Sequence, residues 1–344
     1  MIFIELLKRF YSYRPLTTQL VVTRRCNLSC GYCKEFDHTS KVVSTDRLKI
    51  RIDKLCELKA MIITMTGGEP LLHPYIAELI KYAKSKIPGV GMITNGFLLS
   101  KEIIMKLNKS GLGAMQISID GVHQNEITKK VLDNVKDKLM LLKKYAKFKV
   151  NIASVLGSTP IEEVFEMIQF ANKLDMDLRL LPMLTNGAIH MTKEDKKKTS
   201  LIYGSSTIPI WDIYFIQKLL REGKLPYKCR AGARFLYVDE FGYVHVCPQK
   251  KELFPKKFLM SYTKEDLVKN FYTPKQCTDT CCVTCIRLAS FADEWRKQDN
   301  DSYNTSDAVM TGIRLLKMGW IMAKNYTTQK KRSRIGILKA KIMD

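Results

Sequence analysis

The sequence predicts an α/β fold, a partial (β/α)6 TIM-like barrel followed by a C-terminal domain that contains a β-hairpin. Three observations carry this. Apolar, β-branched runs alternate with amphipathic helical stretches up to about residue 184. The first four of these runs each end in a loop rich in glycine, asparagine, aspartate or cysteine, all at the strand's C-terminal end, where barrel folds carry their chemistry. Beyond about residue 185 the alternation stops, and two short β-rich runs flank Asp239-Glu240-Phe241-Gly242.

Residues 1–14 read as an amphipathic segment, with Ile2, Phe3, Leu6, Leu7 and Phe10 at helical spacing opposite Lys8 and Arg9. Pro15 ends it and the barrel core, 15–185, begins. Its first strand is Thr18–Thr23. Thr45-Asp46 caps a helix to about Lys59, with Cys56 as a core thiol beside Leu55 and Leu58. The second strand, Met61–Thr66, runs into Gly67-Gly68-Glu69-Pro70, and a helix over 74–86 closes at Pro88-Gly89. Val90–Thr94 is a third strand before Asn95-Gly96, and a helix follows over Ser100–Ser110. Ala114–Ile119 is a fourth strand before Asp120-Gly121, and a long helix is expected over 124–146. The fifth strand is Lys147–Leu156; Pro160 opens the next helix in its first turn. The sixth, Leu178–Leu181, meets Pro182. Residues 186–228 link to a cysteine-bearing domain over 229–298, and 299–344 form a basic tail.

Composition narrows the class. The chain has 344 residues and is 46% hydrophobic, enough for a sizeable core. Apolar runs such as Met61–Met65 fall short of the ~20 residues of a membrane span. The N-terminus is apolar before it is basic and lacks a small-residue cleavage site, so a cytoplasmic chain is expected. Its ten cysteines then read as reduced thiols and metal ligands. The net charge is +23. In the stretch from Lys317 to Asp344, lysines and arginines interleave with Trp320, Ile321, Tyr326 and Ile335. That suits an anionic membrane surface or an acidic partner, giving peripheral membrane association as a second location; a merely solvated tail is the alternative. No nucleic-acid recognition module is present in the pattern, and no specific nucleic acid is expected.

The chemistry centres on the loop after the first strand, where Cys26, Cys30 and Cys33 stand in C-x3-C-x2-C. Three thiolates suit three irons of a cubane 4Fe–4S cluster and leave the fourth iron open. A zinc site would need a fourth ligand, for which His38 is the local candidate, and a disulfide would be cramped. Farther on, Cys229 and Cys247 stand at the two bases of the hairpin, followed by Cys277, Cys281, Cys282 and Cys285.

On these residues the chain resembles the radical S-adenosylmethionine (radical SAM) enzymes. The triad with Tyr32 before its last cysteine matches the family motif. So do the glycine-rich loop Gly67-Gly68-Glu69-Pro70, the Thr94-Asn95-Gly96 turn and Ser118-Ile119-Asp120-Gly121, in this order and each after a strand. The resemblance covers the chain to about residue 185. It implies S-adenosyl-L-methionine chelated at the open iron, with its amino group held by the backbone of Gly67 and Gly68, and Glu69 and Pro70 bracing that loop. Asn95, Ser118 and Asp120 would stand at the cofactor, with Asn151 and Ser154 of the fifth strand. Tyr32 and the backbone of Leu180 to Pro182 would flank adenine. The second half resembles the SPASM and twitch auxiliary-cluster domains, since Cys229, twelve residues, Gly242, four residues and Cys247 fit their hairpin signature. No cysteine follows Cys285, which favours one auxiliary 4Fe–4S cluster, with Cys229, Cys247, Cys281 and Cys285 as ligands and Cys277 or Cys282 as contenders.

The resemblance implies an enzyme that cleaves S-adenosylmethionine with one electron from a reductant such as flavodoxin or ferredoxin. The substrate would be a peptide or protein. A small molecule or a lipid at the membrane is the alternative, and a non-enzymatic iron–sulfur scaffold or electron carrier a third. No acid, base or thiyl catalyst stands out; His73, His123, His190 and His245 read as structural or surface residues.

Overall fold

The computed structural model describes residues 12–185, 188–189, 227–278, 281, 283–291 and 293. The N-terminal segment 1–11, most of the linking region, Cys282, His190 and the basic tail lie outside the described residues. Among the described residues no helix is long and apolar enough to cross a membrane.

Six parallel strands stand in chain order: β1 (Thr17–Thr23), β2 (Ile62–Gly67), β3 (Gly89–Thr94), β4 (Ala114–Ser118), β5 (Lys149–Leu156) and β6 (Asp177–Pro182). The helices between them are α1 (Thr45–Glu57), α2 (Ile76–Lys86), α3 (Lys101–Ser110), α4 (Leu132–Tyr145) and α5 (Ile161–Leu174). This is the expected partial (β/α)6 barrel. A small ribbon follows, β7 (Leu184–Thr185) against β8 (Ala188–Ile189). The hairpin, β9 (Phe235–Val238) and β10 (Tyr243–His245), joins the barrel's own sheet. β9 runs parallel to β1 on its open side, and β11 (Lys257–Phe258) completes nine strands. Two helices, α6 (Lys264–Tyr272) and α7 (Thr284–Phe291), close the C-terminal part.

The strands alternate between two kinds of surface. Leu20, Val22, Ile63, Met65, Met92, Met115, Ile117, Ile152 and Leu178 point at the helices and form the main core with Ile52, Leu79, Leu107, Leu139 and Val164. Their neighbours in sequence, Gln19, Thr66, Gln116, Ser118 and Arg179, face the inside and line cavities. A second core gathers Val21 of β1 with Phe235, Tyr237, Val246, Ile286 and Ala289, so the C-terminal part packs onto the inner side of the barrel near β1. Arg234 anchors it: fully buried, it donates two bonds of 2.7 and 2.8 Å to the Asp293 carboxylate and one to the Arg14 carbonyl.

One element departs from expectation. The helix expected over 124–146 begins only at Leu132. Asn125 Oδ1 accepts the backbone N–H groups of Ile127 and Thr128, and Asp120 N–H donates to the Lys130 carbonyl. These bonds compete with helical pairing and hold 121–131 as a loop over the barrel mouth.

Candidate active site

The cysteine loop is short and closed on itself. Cys26 N–H donates to the Asp37 carbonyl at 2.9 Å and Asp37 N–H to the Arg24 carbonyl at 3.0 Å, which pins both ends of the loop beside the exit of β1. Cys26, Cys30 and Cys33 all line one small cavity of about 120 Å³, with Leu28, Phe36, Gly67, Gly68, Thr94, Asn95, Ser118 and Lys130. Burial raises the Cys26 and Cys33 thiols, and the neighbouring thiols push the same way; Lys130 opposes this at Cys33. Metal-bound thiolates would remove that penalty. Among the described residues no three Cys, His, Asp or Glu side chains are drawn in around a single metal-ion position; the triad rings a cavity. Three thiols around one cavity with free space beyond them fit the cluster expected from the sequence. His38 turns elsewhere, its Nδ1 against the Cys26 carbonyl at 3.0 Å.

Gly67 and Gly68 serve the fold before any ligand. A Cβ on Gly67, where φ is +138°, would lie 2.0 Å from the Thr23 carbonyl oxygen, and one on Gly68 would lie 2.3 Å from that of Arg24. Gly68 and Glu69 N–H groups donate to the carbonyls of Thr23 and Arg25. The glycines thus let the loop after β2 lie flat on the start of the cysteine loop. Pro70 opens a 3₁₀ turn, Pro70–Leu72. Glu69 is fully buried and braces two loops, accepting Leu71 N–H at 3.0 Å, Thr94 Oγ1–H at 2.7 Å and Asn95 N–H at 2.8 Å. Burial raises its carboxyl despite these donors. Asn95 reaches the cysteine loop, its Nδ2 donating to Asn27 Oδ1 at 2.8 Å with Cys26 Sγ at 3.8 Å.

Asp120 and Ser154 do not line either cavity. Asp120 is fully buried, and its carboxylate accepts the Tyr32 hydroxyl at 2.6 Å, the Thr128 hydroxyl at 2.7 Å and Val155 N–H at 3.2 Å. Ser154, also fully buried, donates to the Asp120 carbonyl at 3.0 Å. Burial, then the adjacent Asp120, pushes the Tyr32 hydroxyl far above its ordinary value, so it stays a donor. Asp120 therefore ties the cysteine loop, the 121–131 loop and β5 together. The 121–131 loop also accepts Gly31 N–H at the Ile127 carbonyl, and Lys130 Nζ sits 4.8 Å over the Tyr32 ring. Asn151 lies lower on β5, beside Gln116 in register, and lines neither cavity.

A second cavity of about 370 Å³ shares Thr66, Gly67 and Ile93 with the first. Gln19, Gln116, Arg179, Leu181 and Pro182 of the inner face line it, together with Tyr32, Glu35, Tyr237, Gln249, Thr284 and Cys285. Its volume lies within the range of small-molecule sites. The region therefore offers a small thiol-lined chamber opening beside a larger one roofed by the C-terminal part.

The later cysteines are free thiols. Burial pushes Cys247 up to about 12, with Cys281, Cys229 and Cys277 acting in the same sense. Burial pushes Cys229 up to about 11, with Cys281 and Cys277 again adding to it. Cys277 feels Cys281 likewise. Cys281 acts in the same way on Cys285, so the expected ligands Cys229, Cys247, Cys281 and Cys285 and the contender Cys277 share one neighbourhood, without three of them being drawn in around a single metal-ion position among the described residues. Cys285, raised by burial to about 12, faces the larger cavity with Gln19 Nε2 3.9 Å from its sulfur. Thiols are a donor type that suits an iron–sulfur cluster or zinc.

The histidines serve local structure: His73 Nε2 lies 2.8 Å from the Val43 carbonyl, His123 pairs with Asp133 on the surface, and His245 Nε2 lies 2.8 Å from Asp239 Oδ2. Sequence reasoning passed over Gln19, Gln116, Arg179, Lys130, Glu35 and Tyr237. The first three carried a signal. A strand of a parallel sheet covered on both faces reads as continuously apolar, and polar residues at alternate positions mark a face turned to a cavity.

Comparison with known proteins agrees with this geometry. Residues 20–171 match the model of the Radical SAM superfamily. GTP 3',8-cyclase of Clostridium perfringens (strain SM101 / Type A) is 28% identical over 237 residues, which cover 65% of this chain and 69% of that protein. PqqA peptide cyclase of Bradyrhizobium diazoefficiens is 34% identical over 113 residues, 32% of this chain and 30% of that one. Among solved structures, Streptococcus suis SuiB bound to precursor peptide SuiA superimposes with a TM-score of 0.58 at 14% identity, covering 78% of this chain and 67% of that chain.

Proposed function

From an enzyme whose residues 20–171 form a radical SAM superfamily domain, we propose a catalyst that cleaves S-adenosylmethionine reductively and abstracts hydrogen from a peptide or protein substrate. The observation that carries this is the pair of adjoining cavities, one ringed by Cys26, Cys30 and Cys33 and the other roofed by the C-terminal part. Cys26, Cys30 and Cys33 would hold a 4Fe–4S cluster, and Cys229, Cys247, Cys281 and Cys285 an auxiliary one, with Cys277 as a contender. When bound, the first cluster and S-adenosylmethionine supply a one-electron cleavage that delivers a 5′-deoxyadenosyl radical.

The protein's own work is positioning. Gly67, Gly68 and Glu69 hold the floor of the small cavity, and the backbone there is open to an amino group. Ser118 and Asn95 offer hydroxyl and amide groups at its wall. Lys130 brings a cation beside Cys33, where it favours thiolate and attracts a carboxylate. Asp120 acts at one remove, fixing Tyr32 at the boundary of the larger cavity. Tyr32, Leu181 and Pro182 offer apolar surface for a planar base.

SuiB, solved with a precursor peptide, and PqqA peptide cyclase favour a peptide substrate. The GTP 3',8-cyclase relative, aligned over the longer stretch, together with Arg179 on the cavity wall, supports a second reading, a small anionic molecule. Anaerobic reconstitution with iron and sulfide, then dithionite and S-adenosylmethionine, is expected to yield 5′-deoxyadenosine; none formed by a fully loaded protein defeats the enzyme reading. Deuterium carried into 5′-deoxyadenosine from a labelled peptide encoded beside the gene supports the first substrate class. Carriage from labelled GTP instead supports the second.

A further inference from the structure

Glu35 stands in the cysteine loop two residues after Cys33, and its N–H donates to Cys33 Sγ at 3.4 Å. Its half-buried carboxylate takes three donors. One, Arg24 Nη1, belongs to the barrel at the exit of β1. The other two belong to the C-terminal part: the Tyr237 hydroxyl of β9 at 2.5 Å and Lys251 Nζ, beyond the hairpin, at 2.6 Å. Arg24 in turn donates from Nε to Glu240 in the hairpin turn at 2.9 Å, and Arg51 of α1 donates to the carbonyls of Asp239 and Glu240. Burial lowers the Arg24 guanidinium, but Glu35 and Glu240 outweigh it and hold it above its ordinary value. A carboxylate shared by donors from two parts of a fold, in a partly buried place, is worth more than a surface ion pair because several bonds act together.

We propose that Glu35 is a positioning residue that couples the cysteine triad to the hairpin, so that loading of the triad draws residues 237–253 onto the barrel and completes the larger cavity. The path is short and physical. A sulfur bound to iron at Cys33 becomes a fixed thiolate acceptor for the Glu35 N–H, which sets the backbone at Glu35 and aims its carboxylate at Tyr237 and Lys251. Glu35, Tyr237 and Gln249 all line the larger cavity, so a loose hairpin leaves that cavity unroofed. The coupling rests on the triad holding a cluster.

Hydrogen–deuterium exchange of the full chain after anaerobic reconstitution tests it, with iron content measured on the same samples. Amides of 237–253 are expected to exchange roughly tenfold more slowly in the loaded wild type than in Cys30→Ala given the same treatment, since the later thiols load in both. Glu35→Gln with full iron content is expected to exchange as Cys30→Ala does. Lys251→Met removes the partner on the far side without touching the cysteine loop. It is expected to fall between them, and to add nothing when combined with Glu35→Gln. Protection of 237–253 in loaded Glu35→Gln equal to the wild type overturns the coupling while leaving the cluster reading intact. A triad that takes up no iron overturns both.

Discussion

Cys26, Cys30 and Cys33 share one loop at the end of β1, whereas the proposed second set, Cys229, Cys247, Cys281 and Cys285, comes from the two bases of a hairpin and from the segment that leads into α7. The three cysteines of the first set lie within eight residues, in a loop closed by Asp37 and braced from farther along the chain by Gly67, Gly68 and Asp120. The second meets only when β9 has docked beside β1 and Arg234 has found Asp293. Bringing distant segments together costs loop-closure entropy that a local loop does not. A metal bound at the second set would therefore contribute more to folding the C-terminal part than a metal at the triad contributes to the barrel.

The sharpest way to break the comparison is at the triad. Cys30→Ala is expected to abolish 5′-deoxyadenosine formation in an anaerobic assay, while Cys56→Ala, whose thiol donates to the Lys86 carbonyl away from both cavities, keeps wild-type yield. Cleavage retained in Cys30→Ala would remove the local site from the mechanism. Next comes Gly68→Ala, which forces a Cβ against the carbonyls of Arg24 and Arg25. A loss of about 3 kcal/mol is expected from thermal or denaturant unfolding, and an unchanged midpoint would show that the two loops do not lie as close as described. At the second set, Cys285→Ala is expected to lower iron content by about four per chain in anaerobic metal analysis, and Cys277→Ala to leave it unchanged; the reverse result would exchange their roles.

Smaller effects test the braces. Asp120→Asn weakens the bonds from Tyr32 and Thr128, with about 1–2 kcal/mol of stability lost in chemical denaturation. His73 gives the smallest signal. Burial lowers its pKa against the Val43 carbonyl bond, so the folded protein holds it neutral. Its contribution is then present above the unfolded value, about 6.5, and is lost as pH falls through the lower folded value. His73→Gln is expected to flatten the decline of the melting temperature below that pH, and an identical decline would clear His73 of the effect.

How legible each part was follows its range in sequence. The six strands, the triad and the three loop motifs that follow it repeat local patterns, and local pattern is what a sequence displays. The 121–131 loop was not legible as a loop, because its amphipathic spacing continues into α4 and two of the bonds that hold it, Thr128 to Asp120 and Asn125 Nδ2 to the Ser158 carbonyl, exist only once the fold has formed. Asp120 and Ser154 could be placed at a strand end, but not oriented; their side chains answer to Tyr32, Thr128 and β5 instead of the cavity. Spacing put Cys285 ahead of Cys277 as a cluster ligand but did not show that Cys285 also faces the larger cavity, with Gln19 beside its sulfur.

The sequence by itself determined the barrel's order of elements and the triad that opens onto it, since each is a pattern among neighbours within a few residues. Tertiary structure decided the rest. It joined the hairpin to β1 as part of one sheet, gathered thiols from distant segments, and aimed Glu35 at Tyr237 and Lys251. The physical reason is that side-chain direction and long-range pairing are set by the surroundings a residue is packed into, and those surroundings exist only once the chain has closed on itself.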